Sequence, residues 1–185
     1  MNYLFVLAAV LELLLFFVIL WLTFFLSTLV HELGHAALSR LAGVKSPWQI
    51  RVGFGAKLLG TKHLTVNLWP FDGYFDLPGD PKLSRKSAVL TLAGGPLGSL
   101  LLFGALLALR LSGVIGDTPL ISESTLKSLV NISLYVNGAI FLYSVIPACY
   151  LFGQIKGMPS DGLQIVNILK GRQTKNDDSG DDPQE

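Results

Sequence analysis

His31-Glu32-Leu33-Gly34-His35 closes an apolar run that reaches back to Tyr3, and the reading of the whole chain turns on it. On a helix, two histidines four residues apart point to one face, about one turn apart. At about 100° per residue, Glu32 falls roughly 60° round from His35, near enough to reach a water beside a metal held by both rings. Five-residue matches with two free positions arise by chance, so the surroundings decide. Thr23 to Val30 and Ala36 to Ala42 together carry one charge, Arg40. Each ionised side chain near a bilayer centre costs about 2.5–3.5 kcal/mol on insertion scales. Three titratable groups within five positions of such a helix therefore need a compensating partner. Zinc is the simplest, since it takes neutral imidazole nitrogens and makes Glu32 a useful base. The plain alternative is a polar helix face packed against another helix.

Composition agrees with a membrane setting. The chain has 185 residues, of which 51 % are hydrophobic, and a mean hydropathy of +0.54, which points to one membrane domain. A net charge of +1 says nothing about nucleic acid, but the chain shows no basic stripe interleaved with aromatics, so no nucleic-acid partner is expected. Cys149 stands alone, which rules out an internal disulfide. No Lys/Arg n-region precedes the first apolar run, which is too long for a signal peptide, so a retained span is expected.

Between Tyr3 and Ala42 there is no proline, and Gly34 is the one glycine. Forty helical residues would measure roughly 60 Å, about twice the hydrocarbon thickness. One long tilted helix is expected, with Glu12 near the outer interface; a break around Leu20 to Thr23 is the alternative. Gly43 and Pro47 then mark the stop. Trp48, Ile50, Val52 and Phe54 alternate with polar or glycine positions, as do Leu64, Val66 and Leu68. Period two on both sides of Ala56–Lys62 predicts two strands joined by a loose hairpin. His63 sits on the polar phase of the second strand and reads as solvated. Pro70 to Gly79 reads as turn, with Asp72 and Asp76 ordinary turn residues.

Ala88 to Leu111 is a second span, with a kinking Pro96 and a Gly94/Gly98 pair that lets helices approach closely. A short polar loop, Ser112 to Thr125, leads to a third span, Leu126 to about Tyr150, with Pro147 near its end. Asp161-Gly162 opens a last amphipathic helix, where Ser160 or Asp161 would serve as N-cap. From Asn176 the chain is acidic and polar, the composition of a disordered tail. Lys45, Arg51, Lys57, Lys62, Lys82, Arg85 and Lys86 lie in the 43–87 loop, and Lys156, Lys170, Arg172 and Lys175 in the final segment. Only Arg110 and Lys127 flank the short loop. The positive-inside rule then sets the N-terminus outside, three spans, and the C-terminus in the cytosol.

These residues, taken together, resemble the site-2 protease family of intramembrane zinc metalloproteases. The hairpin closing on Pro70-Phe71-Asp72-Gly73-Tyr74 is similar to the family's membrane-inserted β-region, and Gly95-Pro96-Leu97-Gly98-Ser99 to the G-P motif of its second core helix. Ser144-Val145-Ile146-Pro147, followed by Ser160-Asp161-Gly162, resembles the N-x-x-P…D-G motif. The likeness covers about residues 20 to 170, with the elements in family order. It implies an all-α polytopic membrane protein: three transmembrane helices, a small membrane-associated β-hairpin between the first and second, and a C-terminal amphipathic helix. Residues 1–172 would form a single minimal core without a PDZ or other appended domain, and 173–185 a disordered acidic tail.

By the same resemblance, His31, His35 and Asp161 would hold Zn2+, and Glu32 would be the catalytic base. The family's asparagines stand here as Ser99 and Ser144. Asn137, about two turns before Ser144 on the same face, could share substrate positioning with it. The implied reaction is peptide-bond hydrolysis in a transmembrane segment of another protein, with the bilayer and a regulatory membrane partner completing the system. A catalytically silent, chaperone-like relative is the competing class, against which an intact Glu32 argues. A zinc transporter would need ligands in several spans, and the second offers none.

Overall fold

The computed structural model describes residues 3–79, 81–116, 123–151 and 155–171. The expected tail from 173 onward and the Glu12 side chain lie outside the described residues.

A run without a breaker makes one continuous helix, α1, Tyr3–Leu41. Its 39 residues correspond to about 58 Å, with no break between Leu20 and Thr23. Gly43 takes a left-handed φ of 81°, and Val44 N–H returns to the Ser39 carbonyl at 3.0 Å, closing the helix end.

β1 (Gln49–Gly60) and β2 (Leu64–Asp76) form a two-stranded antiparallel hairpin. Two expectations need correcting. The stretch read as a loose loop is mostly strand, and the chain reverses at Thr61–His63, where Leu64 N–H donates to Thr61 Oγ1 at 2.9 Å. Pro70–Asp76, read as turn, is the second half of β2. The reason is tertiary. Gly53 and Gly55 have φ of 78° and 85°, and the register shifts there, so β1 bends and two stretches of β2 flank its start. Ile50, Arg51 and Val52 meet Leu64, Thr65 and Val66 on one side and Phe75, Tyr74 and Gly73 on the other. Ile50 and Val52 are buried with Ala36 of α1, and Phe25, Leu29, Trp48, Leu64 and Phe75 pack against them. Beyond Val66 the alternation changes phase: Asn67 turns inward and donates to the Gly53 carbonyl at 2.7 Å, while Leu68 faces out. Trp21 Nε1 donates to the Leu68 carbonyl at 2.6 Å and Thr28 Oγ1 to that of Pro70 at 3.2 Å, tying β2 to α1.

α2 (Arg85–Leu111) is capped by Ser84, whose hydroxyl accepts from Ser87 N–H at 3.1 Å. α3 spans Glu123–Val145 and α4 Asp161–Leu169. α3 stops five residues short of the expected Tyr150, because Pro147 disfavours helix at the residue before it. The chain then doubles back through a Cys149–Pro159 bridge. Among the described residues, three helices are long and apolar enough to cross a membrane: Leu13–Leu41, Arg85–Leu111 and Glu123–Val145. The middle one packs against the other two and α4. A Cβ on Gly34 would collide with the Gly94 carbonyl, and one on Gly94 with that of Gly34. The glycine inside the histidine motif is thus the contact point of α1 with α2.

Candidate metal centre

The backbone contact at Gly34 and Gly94 draws the two histidines against α2 and fixes their rings. His35 Nδ1 lies 2.8 Å from the Thr91 carbonyl. A carbonyl only accepts, so Nδ1 carries the proton there and Nε2 keeps its lone pair. Gly95 N–H also approaches that nitrogen, at 3.2 Å, the longer and weaker contact. His31 Nδ1 meets Ser99 Oγ at 2.9 Å, which leaves its Nε2 for the centre in the same way. Nothing larger than glycine fits at position 95, where a Cβ would land on both Nε2 atoms.

The third group arrives from the far end of the chain. Asp161 Oδ2 lies 3.4 Å from His31 Nε2 and 3.6 Å from His35 Nε2. Around a tetrahedral ion with ligands at about 2.0–2.2 Å, neighbouring ligand atoms stand about 3.3–3.6 Å apart. The three residues are the one group of this kind among the described residues, all buried, with ligand atoms within 4.8 Å of one another. Asp161 Oδ2 is buried without a hydrogen-bond partner, so a metal ion suits this donor set. Burial pushes the Asp161 carboxyl up, and only positive charge at the imidazoles, from protonated Nε2 groups or from a cation held between them, outweighs it and keeps the group a carboxylate. Capping α4 falls to Ser160, whose Oγ accepts from Leu163 N–H at 3.2 Å and donates to the Ile146 carbonyl at 2.6 Å.

Glu32 is buried, and Gly73 of β2 packs so closely on it that a Cβ there would strike its carboxylate. Two cavities meet at this carboxylate and His31. One of about 440 Å³ opens between α1, β2 and α3, lined by Thr28, Phe71, Asp72, Ile140 and Ser144 among others. The other, about 180 Å³, reaches Thr91, Tyr150 and Asp161.

The remaining candidates are placed unevenly. Ser144 is buried on the larger cavity, its hydroxyl donating to the Phe141 carbonyl at 2.9 Å. Asn137 is fully buried and away from that lining: its amide donates to Ser27 Oγ at 2.9 Å and to the Ser133 carbonyl at 2.8 Å. It joins α3 to α1, a packing role that the two-turn spacing from Ser144 did not suggest. His63 is half-buried, its ring tilted against Trp48 with its Nδ1 2.9 Å from the Trp48 carbonyl, and takes no part in the centre. Asp72, read as a turn residue, is buried on β2 and lines the cavity beside Glu32. Its strand position was hidden by the flanking Pro and Gly.

Comparison with family models places the match over residues 19–174, on peptidase family M50. The chain belongs to peptidase family M50. This is the site-2 protease family that the motifs resemble, and the matched region runs from the middle of α1 past the end of α4. Comparison with curated proteins and with solved structures yields no significant match. For an M50 member, the Ser99 found where the family has asparagine still meets the ring of His31.

Proposed function

We propose that this M50 member is a zinc metalloendopeptidase that hydrolyses peptide bonds of transmembrane segments within or near the membrane. The observation that carries the reading is the convergence of His31 Nε2, His35 Nε2 and Asp161 Oδ2 beside a buried Glu32, at the junction of two cavities. Zinc held by these three residues would polarise the scissile carbonyl and acidify the attacking water. Glu32 accepts a proton from that water on its carboxylate and passes it to the leaving amine nitrogen. Ser99 and the Thr91 carbonyl orient the imidazoles through their Nδ1 atoms. The larger cavity receives the unwound substrate. Its rim on the hairpin carries exposed Phe71, on which exposed Trp69 stacks, and Leu58 and Leu59 are exposed on β1, side chains suited to the bilayer.

The test is Glu32→Gln, assayed for bound zinc and for cleavage of a reporter membrane segment. The amide keeps the shape and cannot accept the proton, so zinc should stay at wild-type stoichiometry and the rate should fall by about 10²–10⁴-fold. An unchanged rate in the variant would refute the assignment. A wild-type protein that binds zinc and cleaves no membrane segment would favour the silent, chaperone-like relative.

A further inference from the structure

Tyr150 lines both cavities that meet at Glu32 and His31. Its backbone is pinned on both sides, N–H donating to the Met158 carbonyl at 2.9 Å and carbonyl accepting from Gly157 N–H at 2.8 Å. Its ring stacks on Tyr143, with centroids 6.1 Å apart and planes 14° from parallel. The Cys149–Pro159 bridge extends this pairing to within two residues of Asp161. The fold-back that delivers the aspartate therefore delivers a phenol with it.

The scissile carbonyl oxygen, which zinc would polarise, still receives no hydrogen bond from the four residues of the centre. As water adds, the carbonyl π pair moves onto oxygen, which becomes anionic. Glu32 and Asp161 are acceptors, and the Nδ1 atoms of His31 and His35 are engaged by Ser99 and Thr91. The hydroxyls of Thr28 and Ser144 are spent on the Pro70 and Phe141 carbonyls, and those of Tyr143, Tyr74 and Thr91 each line one cavity alone, whereas Tyr150 lines both at their junction. We propose that the Tyr150 hydroxyl donates the hydrogen bond that stabilises this oxyanion, an inference that rests on the protease reading above. No proton leaves the phenol: the O–H···O⁻ bond strengthens as the tetrahedral centre forms and relaxes when the amine departs with the proton from Glu32. Burial, and then the Asp161 and Glu32 carboxylates, push the phenol up, so it stays a donor at any physiological pH.

Tyr150→Phe keeps the ring and its stack and removes one O–H. The probe is a fluorogenic transmembrane peptide that wild type cleaves in detergent micelles, with a phosphinic isostere of the same peptide as the tetrahedral mimic. The expected result is kcat lower by about 10²-fold, KM within about threefold, unchanged zinc stoichiometry, and a matching loss of affinity for the phosphinic peptide. An unchanged kcat, or loss of zinc from the variant, would overturn the inference. If wild type itself cleaves no such peptide, the protease reading has failed; if only the Tyr150→Phe comparison is flat, this inference alone has failed.

Discussion

At the scale of the residue, the centre separates two roles that one short sequence left merged. Ser160 and Asp161 are adjacent, and either could cap a helix; the geometry gives the cap to Ser160 and turns Asp161 onto two imidazole nitrogens. The two substitutions should therefore diverge. Ser160→Ala is expected to cost about 1 kcal/mol of stability and leave the metal in place. Asp161→Asn keeps the helix, because Asn caps as well as Asp and the cap lies elsewhere, but withdraws an anionic oxygen. Zinc content should drop well below one per chain and cleavage should cease, with helicity unchanged by circular dichroism. Full zinc occupancy and normal turnover in the Asn variant would remove Asp161 from the centre.

At the scale of the element, the hairpin is where the pattern of alternation misleads. Period two marks Val66 as a strand residue, and a proline there would look like a test of an edge. Val66 is in fact paired with both Val52 and Leu59, so proline would break the sheet from inside. The edge that borders the site is Gly73–Asp76. Ile50 N–H donates to the His63 carbonyl at 2.8 Å, so it points away from its partner Phe75. In an antiparallel ladder the groups of such a partner also point away, which turns the main-chain N–H of Phe75 outward from β1. Capture of an unwound substrate by added-strand hydrogen bonds would use that donor. Replacing the Phe75 amide by an ester, through a hydroxy-acid analogue that keeps the ring, should raise KM several-fold and spare kcat and zinc. An unaltered KM would argue that substrate enters without strand addition.

At the scale of the whole molecule, three apolar helices and a hairpin place a polar centre among lipid-facing surfaces. The exposed side chains of Leu7, Val10, Leu11, Leu14 and Phe17 on α1 suit contact with lipid. The basic residues predict an orientation: the 43–87 loop and the segment after α3 hold most of them, and the connection between α2 and α3 is flanked by Arg110 and Lys127 alone. The expected topology has the C-terminus cytosolic and the histidine motif toward the cytosolic end of α1. Alkaline phosphatase and fluorescent-protein fusions at residue 185 measure this: the fluorescent fusion should be bright and the phosphatase inactive, and the reverse pattern would invert the orientation.

The sequence by itself determined what depends on local periodicity and on the expense of charge in an apolar run. One face of α1 presents His31 and His35, the helix spans are set by apolar length, and Gly43 marks the end of α1. Family order of the motifs then pointed to Asp161. Only the tertiary structure decided what depends on which surfaces meet. Pro70–Asp76 became strand because a bend at Gly53 and Gly55 lets β1 pair on both sides, a long-range event with no local signature. Asn137 became a pin between α1 and α3 because Ser27 happened to face it. The carbonyl of Thr91 orients His35 from the backbone, where side-chain identity carries no trace. Tyr150 gained its position from the fold-back after Pro147, since a chain returning on itself sets side by side residues that no spacing along it could bring together.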